Sequence, residues 1–350
     1  MYAVSGTANS PKTHERNTSS NSQERFLSHI LLTGAGFSRN WGGWLANEAF
    51  EYLLGCSGVT PVIATELWKA KTTGAGFEGA LDSLRGLYAT YKDVRHETEL
   101  KTFESMLLGM FNTMNTSYAT VDFEPGRDPA RLGPQPKLVR DFLCRFDKIF
   151  TLNQDTLLEQ HYLDSDLREG SAGRWFTLQT PGLEEMKVGG TVYAKPGVHT
   201  PASPPFTVSD RNQLYFKLHG SSNWRTQDGS SLLIVGGNKS TNIAASELLS
   251  WYEQEFRKAL REPGARLMVI GYGFADTHIN DHIREGAVAG MKLFVIDPNG
   301  VDAIDTLRPR GIYNFGSSLQ GSFIGASRRD LLTTLTRDTV ERAKVMRFFS

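Results

Sequence analysis

In the stretch FTLNQDTLLEQHYL, residues 150–163, an apolar run gives way to a helical pattern across three polar side chains, Asn153, Gln154 and Asp155. An asparagine amide both donates and accepts hydrogen bonds, so Asn153 suits sugar hydroxyls or an attacking water. An ionised carboxylate only accepts, so Asp155 suits the N–H₂ of a carboxamide. The plainer use of the same residues is local: Asn153 closes a strand while Asp155 or Thr156 caps the following helix. His219, in FKLHGSSNW, stands at the end of another apolar run and directly before a glycine. Histidine is the side chain best placed to move protons near neutral pH, which makes His219 the candidate general base.

Three further segments offer binding chemistry. TGAGFS, residues 33–38, sets Gly34 and Gly36 around Ala35, with Phe37 and Ser38 beyond. Such glycines let backbone N–H groups approach an anion without a Cβ clash, and a helix starting there adds its positive end. A tight structural turn would use the same glycines. VIGYGFADTHINDHI carries a second pair, Gly271 and Gly273, with Asp276 expected to cap the next helix. FVIDPNG follows its apolar run with Asp297 and Asn299; these suit a ribose or a base, or a simple Asp-Pro-Asn-Gly turn.

These residues need a frame, and the apolar runs before them supply it. HILLT (29–33), KIFTL (148–152), LYFKL (214–218), RLMVI (266–270) and KLFVI (292–296) are short and continuous rather than alternating. That pattern suits strands buried on both faces of a parallel sheet. Helical stretches between several of them imply an α/β fold: a Rossmann-like parallel sheet with helices on both faces. Ligands bind outside the carboxyl ends of strands in such sheets, so the five polar tips would share one rim and one site.

The expected organisation is a polar tail over 1–25, a catalytic domain over 26–330 and an amphipathic C-terminal helix over 331–350. The domain is expected to carry a helical subdomain inserted at about 45–145. An irregular Gly/Pro-rich excursion is expected at about 165–213, with a short hairpin at GGTVYAK.

Lys plus Arg and Asp plus Glu both number 38, so the formal net charge is zero, which argues against a broad phosphate-neutralising surface and direct nucleic-acid binding. No apolar run reaches the roughly 18 residues of a membrane span. The two cysteines, Cys56 and Cys144, cannot form a four-thiolate zinc site and read as reduced thiols in a cytoplasmic protein.

Taken in order, Gly34-Ala35-Gly36-Phe37-Ser38, Thr151-Leu152-Asn153-Gln154-Asp155, His219-Gly220, Gly271-Tyr272-Gly273 and Asn299 resemble the sirtuin motifs GAG-x-S, T-x-N-x-D, His-Gly, G-x-S/G and a late Asn. The set covers residues from about 29 to 300; the inserted helices carry no match. Two departures matter. The four-cysteine zinc module of protein-deacylating sirtuins cannot be built here, so no zinc is expected. RNWGGWLANEAF stands where those enzymes have Gly-Ile-Pro-Asp-Phe-Arg. GYGFADTHIN looks more like bacterial sirtuin-like proteins of anti-phage defence.

The resemblance implies NAD⁺ as substrate and hydrolysis of its nicotinamide–ribose bond. It implies Asn153 and His219 in catalysis. Residues 34–38, Gly271 and Gly273 would lie at the pyrophosphate, Asp155 at the nicotinamide carboxamide, and Asp297 and Asn299 near adenosine. It also implies a homo-oligomer, or a HerA-type ATPase or short Argonaute protein as partner. An NAD-dependent protein deacylase and a non-catalytic NAD or nucleotide sensor are the alternative expectations.

Overall fold

The computed structural model describes Met1 and residues 27–126, 137–163, 175–185, 197–307 and 317–350. The expected tail (beyond Met1) and the expected hairpin at GGTVYAK lie outside those residues.

All five apolar runs form strands of one sheet: β1 (Ser28–Thr33), β2 (Lys148–Thr151), and three strands that take the numbers β6 (Gln213–Lys217), β9 (Ala265–Ile270) and β10 (Lys292–Ile296). Their continuity in sequence has a direct structural cause. Neighbouring residues point to opposite faces, and each face carries its own core. Leu31, Ile149 and Met268 enter one core, whereas Ile30, Leu32, Phe150 and Val269 enter the other. Two short strands that the apolar pattern did not reveal, β3 (Leu178–Gln179) and β11 (Phe323–Ser327), complete the edges. The resulting order is β11-β10-β9-β1-β2-β6-β3, and every pairing is parallel. This is a Rossmann-like α/β sheet. A separate small sheet joins β4 (Leu183–Glu185), β5 (His199–Pro201), β7 (Gly220–Arg225) and β8 (Ser231–Leu233) in the order β4-β5-β7-β8.

From β1 the sheet grows on one side through β2 and β6, then reverses to place β9 on the other side of β1. The crevice between β1 and β9 is therefore the topological switch point, where open α/β sheets receive ligands.

Between β1 and β2 the chain forms α1 (Ala35–Ser38), α2 (Ala46–Leu54), α3 (Pro61–Thr73), α4 (Gly76–Tyr91), α5 (Val94–Tyr118) and α6 (Leu138–Leu143). Thr60 and Pro61 start α3 by a side-chain cap to the Ile63 N–H and a pre-set φ. Asp93 caps α5 through the His96 N–H at 2.8 Å. On α5, Phe103, Met106, Met110, Met114 and Tyr118 recur at helical spacing and are buried, which carries the end of this helix to the sheet rim. The short α7 (Leu157–His161) follows β2, and α8 (Lys239–Ala244) precedes α9 (Glu247–Leu260). With α10 (Thr277–Val288), α9 covers the second face.

After α11 (Ser317–Ser322) and β11, the single helix expected over 331–350 is instead two, α12 (Leu331–Thr336) and α13 (Thr339–Met346), before a 3₁₀ turn. The reason is local. Asp330 caps the first through the Thr333 N–H at 2.7 Å, and Asp338 starts the second by accepting the Glu341 N–H at 2.9 Å. No helix among the described residues is long and apolar enough to cross a membrane.

Candidate active site

The two glycine loops at the switch point touch each other. A Cβ on Gly36 would lie 2.7 Å from the Gly271 Cα, and one on Gly34 would lie 2.7 Å from the Gly271 carbonyl oxygen. Gly271 has φ +62°, and a side chain there would collide with the Gly36 backbone. The contact is sealed by hydrogen bonds: Gly34 N–H donates to the Ile270 carbonyl at 3.0 Å and Gly36 N–H to the Gly271 carbonyl at 2.9 Å. These two N–H groups, expected to cradle an anion, are therefore spent on packing β1 against β9. Ala35 is exposed on the cleft wall, while Phe37 is buried against Trp41 with ring centroids 5.2 Å apart, so its side chain belongs to the core. Gly273 differs from Gly271: nothing lies within 4 Å of a Cβ built on it, and it faces the cleft.

At the tip of β2 the Asn153 amide donates to the Gly34 carbonyl at 3.0 Å and to Ser38 Oγ at 3.0 Å. Ser38 in turn donates to Asp155 Oδ2 at 2.8 Å. The direction of this chain is forced. Gly34 offers only an acceptor, and the Ser38 proton is committed to a carboxylate, so the amide nitrogen must face both. Both donors are thereby used, and the Asn153 carbonyl oxygen is left on the cleft side. Asp155 Oδ1 accepts the Leu157 N–H at 3.1 Å, which starts α7. Each oxygen of this carboxylate already serves the protein, so a carboxamide at Asp155 would share an oxygen rather than find a free one. The expected Asn-x-Asp pair thus divides its labour: Asn153 presents an acceptor and Asp155 braces the turn.

Beneath that turn lies a charge the sequence displayed without its partner. Lys217, in the middle of an apolar run, is fully buried on β6. Its ammonium meets Glu159 Oε1 of α7 at 2.6 Å and donates to the Asp155 carbonyl. Burial pushes the Glu159 carboxyl up, with Lys217 opposing. A lysine in a two-faced strand demands such a partner, and that demand was the available signal.

His219 follows β6 and is 2% exposed. The glycine after it is obligatory: Gly220 has φ +71°, and a Cβ there would strike the Leu232 carbonyl of β8. Burial drives the His219 pKa down to about 3, with Asp276 opposing and Lys239 and His278 adding to the drop. At neutral pH the imidazole is uncharged.

His219 Nε2 lies 3.3 Å from His278 Nε2 on α10. Asp276 occupies the N-cap position of α10 but makes no side-chain cap, contrary to expectation. Its carboxylate instead takes the Lys239 ammonium at 2.6 Å, and Lys239 also reaches Glu78 of α4 at 3.1 Å. Burial acts to raise the Asp276 carboxyl, yet His219 and Lys239 outweigh it and hold it below the usual range. Burial raises Glu78 despite Lys239. Lys239, Glu78 and His278 are far apart in sequence, so only the fold identifies them as neighbours of the site.

Asp297 directly follows β10 and is 9% exposed, with Oδ1 accepting the Asn299 N–H at 2.8 Å. The turn reading therefore holds locally, while both residues, Asn299 among the exposed ones, line the same cleft as Asn153, Asp155, His219 and Gly273. The cleft has a volume of about 1270 Å³, above the roughly 300–1,000 Å³ of ordinary small-molecule pockets and large enough for a dinucleotide. Of the expected site residues only Phe37 turns its side chain away from it. Among the described residues no group of three or more His, Cys, Asp or Glu could hold a metal ion.

Residues 147–308 match the model of the SIR2-like domain. That span includes Asn153, His219, Gly271, Gly273 and Asn299, while residues 34–38 precede it. No curated protein matches the chain. Among solved structures, one described as a Sir2 homologue in complex with NAD aligns with 92% of this chain and 91% of its own, at 10% identity and a TM-score of 0.42. A Sir2 in complex with an inhibitor, 2′-O-acetyl-ADP-ribose and a deacetylated peptide aligns with 91% and 94%, at 10% identity and a TM-score of 0.38. From β2 to the segment after β10, the chain is similar to the SIR2-like domain.

Proposed function

We propose that the cleft binds NAD⁺ and hydrolyses its nicotinamide–ribose bond, giving nicotinamide and ADP-ribose. The observation that carries this reading is the pairing, within one dinucleotide-sized cleft at a sheet switch point, of an outward carbonyl on Asn153 with a neutral buried imidazole on His219. Departure of nicotinamide takes the electron pair of the C–N bond and leaves an oxocarbenium-like ribose at C1′. The Asn153 carbonyl dipole, fixed before the ligand arrives, presents its negative end to that cation or accepts a hydrogen bond from the incoming water. His219 takes the water's proton, directly or through a ribose hydroxyl. Gly273 allows close approach of the pyrophosphate, and Asp297 and Asn299 lie toward adenosine. The SIR2-like match supports the assignment because it spans both catalytic candidates.

Loss of NAD⁺ harms any cell that holds such an activity unchecked. The reading therefore includes restraint, as an effector of anti-phage defence working in a homo-oligomer or with an ATPase or Argonaute-type partner, in line with the sequence resemblance.

Incubation with NAD⁺, following nicotinamide and ADP-ribose by chromatography, tests the activity. Wild type should release nicotinamide without any acylated peptide, and His219→Ala and Asn153→Ala should lose about 10²-fold or more while still binding NAD⁺. Turnover that requires an acylated peptide would replace hydrolysis with deacylation; NAD⁺ binding without turnover would favour a sensor.

A further inference from the structure

We propose that Asn115, on the inserted helix α5, is a positioning residue that ties the Asn153 turn to the His219 loop and so sets the gap between them; the inference rests on the hydrolase reading above. Asn153 and His219 stand on neighbouring strands in matching register, each two residues beyond the pair Thr151 and Lys217. Leu218 N–H still donates to the Thr151 carbonyl at 2.9 Å, and then the chains part. One leads into α7; the other turns at Gly220 into β7 and the small sheet. Two side chains that must act on one ribose need a tie past that fork, because a displacement of about 1 Å can cost about 10²-fold in rate.

The last turns of α5 supply it. Asn115 Oδ1 accepts the Thr156 N–H at 2.9 Å, three residues after Asn153. Its Nδ2 donates to Ser222 Oγ at 3.0 Å, three residues after His219. A backbone N–H can only donate, so the amide oxygen must face Thr156 and the nitrogen must face Ser222. The span therefore needs an acceptor at one end and a donor at the other, which an asparagine has and an apolar side chain lacks. Thr156 and Ser222 are both buried, so little water competes for these bonds. The support behind the amide is firm. Met110, Phe111, Met114 and Tyr118 of α5 share a core with Leu157 and Leu158 of α7, and the Asn115 carbonyl accepts Gln160 Nε2 at 2.9 Å. Gln154, the third polar residue at the tip of β2, joins the same two loops from within. Its carbonyl accepts the Ser222 N–H at 3.0 Å, and its side chain donates to the Ile234 carbonyl at 2.6 Å. Ile234 N–H in turn donates to the His219 carbonyl at 2.9 Å. The insertion thus reaches both catalytic loops through one amide.

The test is a double-mutant cycle: wild type, Asn115→Ala, Ser222→Ala and the two together, each measured for kcat and KM with NAD⁺, for NAD⁺ binding and for melting. Ser222→Ala leaves the Thr156 N–H satisfied and removes only the arm toward His219. Asn115→Ala should lower kcat by about tenfold or more and Ser222→Ala by several-fold, with KM and NAD⁺ affinity within about twofold of wild type. The double variant should lose little more than Asn115→Ala alone, because both changes remove one bridge. Wild-type kcat in both single variants, or losses that multiply in the double, would overturn the bridge while leaving the hydrolase intact. So would a loss seen only as a lower melting temperature or as fewer NAD⁺-binding sites with kcat per site unchanged, which marks Asn115 as structural. A wild type that binds NAD⁺ but releases no nicotinamide overturns the hydrolase reading and the catalytic role of Asn115 with it. Nitrogen-15 spectra of the imidazoles need no turnover: Ser222→Ala should move the His219 signals, and unmoved signals would refute the tie.

Discussion

At the scale of single residues, the burial of His219 has two consequences. Its burial keeps it uncharged, and the same burial makes charging it costly. Its folded pKa, about 3, lies below the roughly 6.5 of an exposed histidine. Between these values the unfolded chain binds a proton that the folded chain refuses. Stability from this residue is therefore complete above the unfolded pKa and declines as pH falls through that window, by an amount on the order of a few kcal/mol. Urea unfolding between about pH 7 and about pH 4 should show a smaller acid loss in His219→Gln than in wild type. An identical loss would mean that water in the cleft already relieves the burial. Asn153 shows the complementary economy, since two fixed donors orient the one oxygen that faces outward.

At the scale of elements, the loops after β1 and β9 behave as a single unit. Gly271→Ala places a Cβ in the Gly36 backbone at φ +62° and should cost on the order of 2–4 kcal/mol, visible as a lower melting temperature. Gly273→Ala should leave melting within about 1 kcal/mol of wild type yet weaken NAD⁺, because its open side is where a ligand would come close. Equal effects of the two in both assays would erase the distinction. The β6–α7 contact makes a second case. Lys217→Met strands the buried Glu159 and should destabilise by about 3–5 kcal/mol, whereas Lys217→Met combined with Glu159→Leu should recover most of that loss.

The elements also show what sequence pattern can and cannot convey. Five strands were legible because burial on both faces leaves an unbroken apolar run. β3 was not, because two residues carry no period, and β11 was not, because FIGAS mixes small residues with an exposed Ile324. The polar strand tips were legible because parallel strands deliver them to one rim. Their hydrogen-bond partners were not. No local pattern announces that the Gly34 and Gly36 N–H groups face β9, or that Lys239 binds Asp276.

Across the whole molecule, the helices between β1 and β2 are fastened to the rim by charge. Glu78 of α4, Lys239 of α8 and Asp276 before α10 form one bridge; Arg85 of α4 adds a hydrogen bond to the Val235 carbonyl at 2.8 Å. Lys239→Met removes the shared cation and leaves two carboxylates facing each other. Amide hydrogen exchange over residues 76–91 should then accelerate several-fold while the central strands remain protected. Unchanged exchange in α4 would show that its apolar face alone holds it down.

The strand order sets a condition in time as well. β1 is made well before β9, its neighbour across the switch point, so Gly36 meets Gly271 only after the strands and helices between them exist. Contacts this distant in sequence form late, after long loops have closed. A nascent or prematurely ended chain lacking β9 therefore has no cleft, whatever helices it has already made. For an activity that would consume a common metabolite, the topology itself keeps unfinished copies silent.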